Sequence, residues 1–120
     1  MTTQEIASRL YELCQKNDSS TAHNELYANE VTSTEKNMDG GGGMETIKGL
    51  DGIREKGKKF QSMIEEMHSS YTNEPKVFGD NIFMEMGMDV TMKGMARMNM
   101  SEMCHYETKD GKIISERFFY

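Results

Sequence analysis

Apolar residues recur every three or four positions through "TTQEIASRLYELCQKND", residues 2–18, and that period predicts a first helix. Ile6, Leu10, Leu13 and Cys14 form its apolar stripe. Thr2 and Glu5 stand at capping-box spacing, so a hydroxyl and a carboxylate can satisfy free N–H groups at the helix start. Asn17 and Asp18 are turn residues that end it. A second helix is expected over "SSTAHNELYA", 19–28, capped by Ser19 or Ser20, with Ala22, Leu26 and Tyr27 on its apolar face. The β-branched run "EVTSTE", 30–35, reads as a short strand. "KNMDGGGG", 36–43, reads as a mobile loop, because successive glycines hold regular structure at high entropic cost. "METIKG" reads as a short edge strand. The strongest helical pattern is "LDGIREKGKKFQSMIEEMHSSY", 50–71, with Asp51 as N-cap. Ile53, Gly57, Phe60, Ile64, Met67 and Tyr71 recur along it, and Gly57 would let another element approach closely. Asn73 to Pro75 stops this segment.

From Lys76 the period changes to two. Ile82, Met84, Met86, Met88, Val90 and Met92 fall on one face; Phe83, Glu85, Gly87, Asp89, Thr91 and Lys93 fall on the other. That alternation predicts a half-buried antiparallel strand. A second strand starts near Ala96 and places Ala96, Met98, Met100, Cys104 and Tyr106 on one face, interrupted by Glu102. "KDG" at 109–111 predicts a hairpin, and "KIISERFFY" is the last strand. Helices followed by strands joined through short turns give an α+β fold. Residues 81–93 would span roughly 43 Å if straight, at about 3.3 Å each, against about 35 Å for a compact domain of this length. The strand is therefore expected to curve, with Gly87 as the natural place for a bulge or bend. A helix across the concave side would enclose a cone-shaped space.

Charge narrows the function classes. Lys and Arg number 14 against 20 Asp and Glu, a net charge of −6, which argues against a phosphate-binding surface and hence against nucleic acid. No stretch approaches the roughly 20 apolar residues that span a bilayer, and the N-terminus lacks the basic start and apolar core of a signal peptide. The expectation is a cytoplasmic protein with no membrane partner. Cys14 and Cys104 read as buried thiols. The glycine run lacks the Lys-Ser or Lys-Thr of a phosphate loop, and no spacing of Cys and His converges on zinc. No cofactor and no metal are implied.

Eight of the 13 methionines lie between Phe83 and Met103. Alternate side chains on a strand stand about 6.6–6.8 Å apart, too far to share one soft metal ion easily. Lining of a core or pocket explains the period better. Thioethers re-pack around varied shapes, so such a pocket would take a small apolar molecule of loosely defined outline. Met84, Met86, Met88 and Met100 on the strands are candidate lining residues. From the helical segments come Leu10, Tyr27, Phe60, Ile64 and Met67.

"LYANEVTSTE", "GLDGIREKGKKF" and the closing "YETKDGKIISERFFY" resemble the nuclear-transport-factor-2-like superfamily, and most closely its SnoaL-like branch of small bacterial proteins. The likeness covers nearly the whole chain as one domain, 1–120. It implies a curved antiparallel sheet forming a cone-shaped half-barrel wrapped by three helices, with an apolar cavity and commonly a homodimer through the outer sheet. The superfamily includes ketosteroid isomerases, polyketide cyclases and dehydratases as well as members without known catalysis. Fold alone does not choose among isomerase, cyclase, dehydratase and a non-catalytic dimeric binding module. In ketosteroid isomerases the stretch matching "LYANEVTSTE" carries the catalytic carboxylate base, which places Glu35 in that role. The isomerase oxyanion tyrosine aligns with Leu10, one residue before Tyr11, and Tyr11 or Glu102 is the candidate to stabilise a developing oxyanion. A second oxyanion donor, a protonated acid on a late strand, would fall near Glu102. His23, and His68 near the end of the third helix, are expected to be exposed. Cys104 and His105, as strand neighbours, point to opposite faces and make no nucleophilic pair.

Overall fold

The computed structural model describes residues 1–36 and 42–120. Three helices, α1 (Thr3–Gln15), α2 (Ser19–Leu26) and α3 (Leu50–Met63), accompany seven strands. The strands are β1 (Tyr27–Lys36), β2 (Met44–Lys48), β3 (Ile64–Thr72), β4 (Lys76–Phe78), β5 (Asn81–Met92), β6 (Arg97–Lys109) and β7 (Lys112–Phe119). The glycine-rich loop expected at 36–43 falls largely on 37–41, outside the described residues.

Helix α1 starts at the capping box. Thr2 Oγ1 accepts from the Glu5 N–H at 3.1 Å, and Glu5 Oε1 accepts from the Thr2 N–H at 2.8 Å. Two N–H groups without helical partners are thereby satisfied. Ile6, Ala7, Leu10 and Leu13 are its buried stripe. The cap of α2 is Asp18, not Ser19 or Ser20; its carboxylate accepts from the Thr21 N–H at 3.1 Å. Helix α3 is capped by Gly49 at φ 89°, a backbone region that suits glycine. Asp51 sits instead in the first turn, where its charge favours the helix dipole. Gly57 is exposed with open space around it, so it admits no neighbouring element.

The expected helix over 50–71 is two elements. Helix α3 ends at Met63 and β3 follows without a break. The register of β3 on β5 skips between Ile64 and Glu66 and again between Met67 and Ser69. Each bulge inserts one residue into the two-residue alternation of a strand. Ile64, Met67 and Ser70 therefore all pair with residues of one β5 face, at Met92, Val90 and Met88. Their spacing of three imitates a helical stripe. Tyr71, read as part of that stripe, pairs with Gly87 on the opposite face.

The strand order is β2-β1-β7-β6-β5-β3, with β4 pairing the start of β5. The sheet is curved, unclosed and mixed. The expectation of an all-antiparallel sheet fails at one pair, since β1 runs parallel to β7. The two have the same direction because the rest of the chain crosses over between them. The turn from β6 to β7 is the expected hairpin: Asp110 and Gly111 have φ of 52° and 78°, the left-handed pair that matches strand twist. Gly87 makes no bulge. Its pairing with Tyr71 on one side and Ser101 on the other is continuous. A Cβ there would lie 2.2 Å from Tyr71 Cε1, so glycine admits the tyrosine ring.

Helix α1 packs on β3, β4 and β5, and α3 on β1, β2 and β3. Both cover the face that carries Ile82, Met84, Cys104 and Tyr106, and these join Ile6, Leu10, Leu26 and Val31 in the core. No described helix is long and apolar enough to cross a membrane.

Candidate functional site

One row of side chains crosses the helix-covered face: Ser33 on β1, Glu116 on β7, Tyr106 on β6 and Ile82 on β5, each paired with the next. Two of the four, Ser33 and Glu116, are polar or charged, and both are buried. Glu116 survives there because it is hydrogen-bonded. The Tyr27 hydroxyl donates to Glu116 Oε2 at 2.5 Å, and Ser33 gives a second hydrogen bond. Burial still raises the Glu116 carboxyl above the usual carboxylate range. The Tyr27 hydroxyl is pushed well above its ordinary value by burial and by Glu116.

Above this row lies a ring of charged groups. Lys56 points inward from α3, with Nζ 2.8 Å from Glu35 Oε1 and 3.3 Å from Ser33 Oγ. Its ammonium also lies 5.4 Å from the centre of the Phe118 ring, within cation–π range. Glu102 stays on the covered face of β6, two residues before buried Cys104, whose Sγ is 3.8 Å from Glu102 Oε1. Burial, and then the charge of Glu35, push the Glu102 carboxyl up to about 7. A carboxyl poised there exchanges a proton readily in either direction near neutral pH. Tyr120 senses the same two carboxylates, which raise its hydroxyl together with burial. The helix-covered face thus gathers the carboxyl groups of Glu35 and Glu102 and the Lys56 ammonium above a buried row that itself holds Ser33 and Glu116.

A family model for the SnoaL-like domain matches residues 1–120. The chain belongs to the SnoaL-like family. A SnoaL-like protein of Mesorhizobium loti, solved by crystallography, shares 34% identity over 100% of both chains, with a TM-score of 0.89. A second SnoaL-like protein, from Jannaschia sp. CCS1, shares 12% identity over 98% of this chain and 83% of that one, with a TM-score of 0.75. A protein of Catenulispora acidiphila with a ketosteroid-isomerase-like fold, in complex with trimethylamine, shares 20% identity over 99% and 87% of the two chains, with a TM-score of 0.72. The last two establish likeness of fold alone. No curated protein matches the chain.

In this SnoaL-like chain Glu35 and Glu102, from distant strands, come close enough for the charge of one to shift the other. Tyr11 does not join them: it packs half-buried against the core, and none of the described hydrogen bonds ties it to the carboxylates. Among the apolar lining candidates, Leu10, Tyr27 and Met84 are closed within the core. Phe60, Ile64, Met86, Met88 and Met100 are half-buried, and Met67 is 40% exposed. Lys56, Ser33 and Glu116 carry no mark in the pattern of apolar and polar positions along the chain. Glu116 was the findable one, because a charged residue two places before Phe118 on an alternating strand shares its inward face.

The histidines depart from expectation. His23 is half-buried, edge-on to the Tyr27 ring at 4.8 Å, and burial lowers its pKa. His68 lies in a strand, half-buried, rather than exposed at a helix end. His105 stacks on Phe83 at 4.7 Å, facing away from Cys104. Both cysteines are free, and burial pushes the Cys14 thiol up to about 11. Among the described residues no three His, Cys, Asp or Glu side chains are grouped to hold a metal ion.

Proposed function

We propose that the chain binds a small apolar carbonyl compound in the concavity, and that Glu102 moves the proton on the carbon beside the carbonyl. The observation that carries this is the place of Glu102, half-buried on the covered face beside Cys104, where burial and the charge of Glu35 push its carboxyl up to about 7. Glu35, the base that the family resemblance suggests, is engaged at 2.8 Å by Lys56 and so serves to hold that ammonium. As Glu102 takes the proton, negative charge grows on the carbonyl oxygen. Lys56, whose charge already acts on Glu102, is the cation to receive it. Returning the proton to a different carbon completes an isomerisation; returning it after ring closure completes a cyclisation. The Mesorhizobium relative is described as a SnoaL-like polyketide cyclase, which agrees with the second outcome.

The test is solvent-deuterium exchange at the α-carbon of a panel of apolar cyclic ketones, followed by NMR. Wild type should catalyse exchange on at least one member and Glu102→Gln should lose it by about a hundredfold or more. Equal exchange by both proteins would end the assignment of Glu102. A second reading is favoured by the filled floor, where Ile82, Met84, Cys104 and Tyr106 are almost fully buried. In that reading the chain binds an apolar ligand without catalysis, and ligands raise the melting temperature with no exchange in any variant. We also infer a homodimer through the uncovered sheet face. Met103 and Phe119, paired across β6 and β7, are 42% and 49% exposed there, and sedimentation of Phe119→Lys as a lighter species than wild type would support it.

A further inference from the structure

A separate set of reactive side chains lies on the sheet face away from the helices. Thr91 of β5 pairs with Glu66 of β3 on one side and with Arg97 of β6 on the other. His68 is the residue inserted by the second bulge of β3. Its Nε2 is 2.8 Å from Thr91 Oγ1, and its Nδ1 is 2.8 Å from Glu66 Oε2. An ionised carboxylate can only accept, so Nδ1 carries the ring proton in this arrangement. In the neutral imidazole Nε2 is then the acceptor for the Thr91 hydroxyl. Hydroxyl, imidazole and carboxylate stand in the order nucleophile, base and orienting group.

The surroundings favour reaction over simple packing. The His68 side chain is 19% exposed, which shields the base while leaving access to it. Arg97 donates to both carboxylate oxygens of Asp89, at 2.9 and 2.7 Å, and is thereby held on the strand beside Thr91. A cation there can meet negative charge developing on an attacked carbonyl oxygen. Asp89, two residues from Thr91 on the same face, also borders a depression of about 290 Å³ with Ser69, Tyr71, Asn99 and Ser101. That space, lined also by Met88 and Met100, has room for a short acyl group.

We propose that Thr91 is an acyl-accepting site, activated by His68, for short-chain activated esters. The Thr91 oxygen attacks the ester carbonyl as its proton passes to His68 Nε2. The bond from the carbonyl carbon to the leaving oxygen then breaks, and that oxygen takes the proton from His68. The products are acyl-Thr91 and a free alcohol or phenol. No other reactant is needed, and the site is independent of Glu102.

The experiment treats the full chain with p-nitrophenyl acetate and locates acetyl groups by peptide mass spectrometry. Wild type should carry acetyl on Thr91, with release of nitrophenol in step. Thr91→Val, which keeps the branched shape, should lose the adduct, and Thr91→Ser should keep it. His68→Gln should slow labelling of Thr91 by about a hundredfold. Acetyl found only on lysines or the N-terminal amine, or Thr91 labelled equally fast in His68→Gln, would overturn the proposal. If Thr91→Val proves poorly folded, Thr91→Ser and His68→Gln still separate activated attack at Thr91 from unselective acetylation.

Discussion

The hydroxyl of Tyr27 donates to the carboxyl of Glu116 across 89 positions of sequence, tying the first strand to the last in the closed core. Removing one partner leaves the other buried and short of a hydrogen bond. Tyr27→Phe is expected to destabilise the fold by about 1–3 kcal/mol, the usual cost of orphaning a buried polar group. Glu116→Gln keeps a carbonyl oxygen to accept from Tyr27 and should cost less than Glu116→Ala. Urea denaturation of the three variants checks the order. A Glu116→Ala protein as stable as Glu116→Gln would show that this contact contributes nothing.

Glu102 makes stability depend on pH in a direction opposite to an ordinary ion-paired carboxylate. Its folded pKa, about 7, lies above the ordinary value of 4.5. The folded state therefore binds the proton more tightly than the unfolded chain. The stability this gives is fully present below about 4.5 and is lost as pH rises to about 7. Above that window the loss is complete and the curve levels. Glu102→Gln cannot ionise, so the stability of wild type relative to the variant should fall through the same window. A difference that is flat from pH 4.5 to 7 would place the Glu102 carboxyl in water.

How much of this arrangement was legible in the sequence depended on how locally each feature is written. The Thr2–Glu5 capping box and the Asp110–Gly111 turn rest on residues a few positions apart, and both form as read. Glu102 stood out because it interrupts an apolar face, and the strand keeps it on that face. The junction of α3 and β3 was not legible. No glycine or proline marks it, and two bulges give β3 a three-residue spacing that reads as helix. Lys56 was hidden differently. It is one of three lysines within four positions, and only the packing of α3 over β1 decides which of them meets Glu35. The parallel pairing of β1 with β7 is likewise set by a long-range crossover, which no local pattern encodes.

Gly87 and Tyr71 should be energetically coupled. The ring of Tyr71 lies where a Cβ at 87 would stand, and its hydroxyl donates to Glu85 at 2.6 Å. Gly87→Ala must displace the ring and break that hydrogen bond. Tyr71 is 44% exposed, so it can swing outward rather than strain the strand. The expected cost is about 1 kcal/mol. In a Tyr71→Ala background the same substitution should cost much less, since nothing is left to displace. A double-mutant cycle measures the coupling, and additive effects would mean that the ring does not occupy the space above Gly87.

Peroxide separates the methionines by where the fold puts them. Met1, Met44, Met63, Met67 and Met95 are 40–60% exposed, whereas Met84 and Met92 are 1% and 9% exposed. Thioether oxidation needs contact with the oxidant and turns an apolar side chain into a polar one. These five residues should reach sulfoxide first, with little loss of stability. Met84 and Met92 should remain reduced until the chain opens, and oxidation at either should coincide with unfolding. A time course of peptide mass spectra beside circular dichroism distinguishes the classes. Early sulfoxide at Met84 in a folded protein would mean that the floor of the concavity is open to solvent, which would favour a deep ligand cavity over the filled floor.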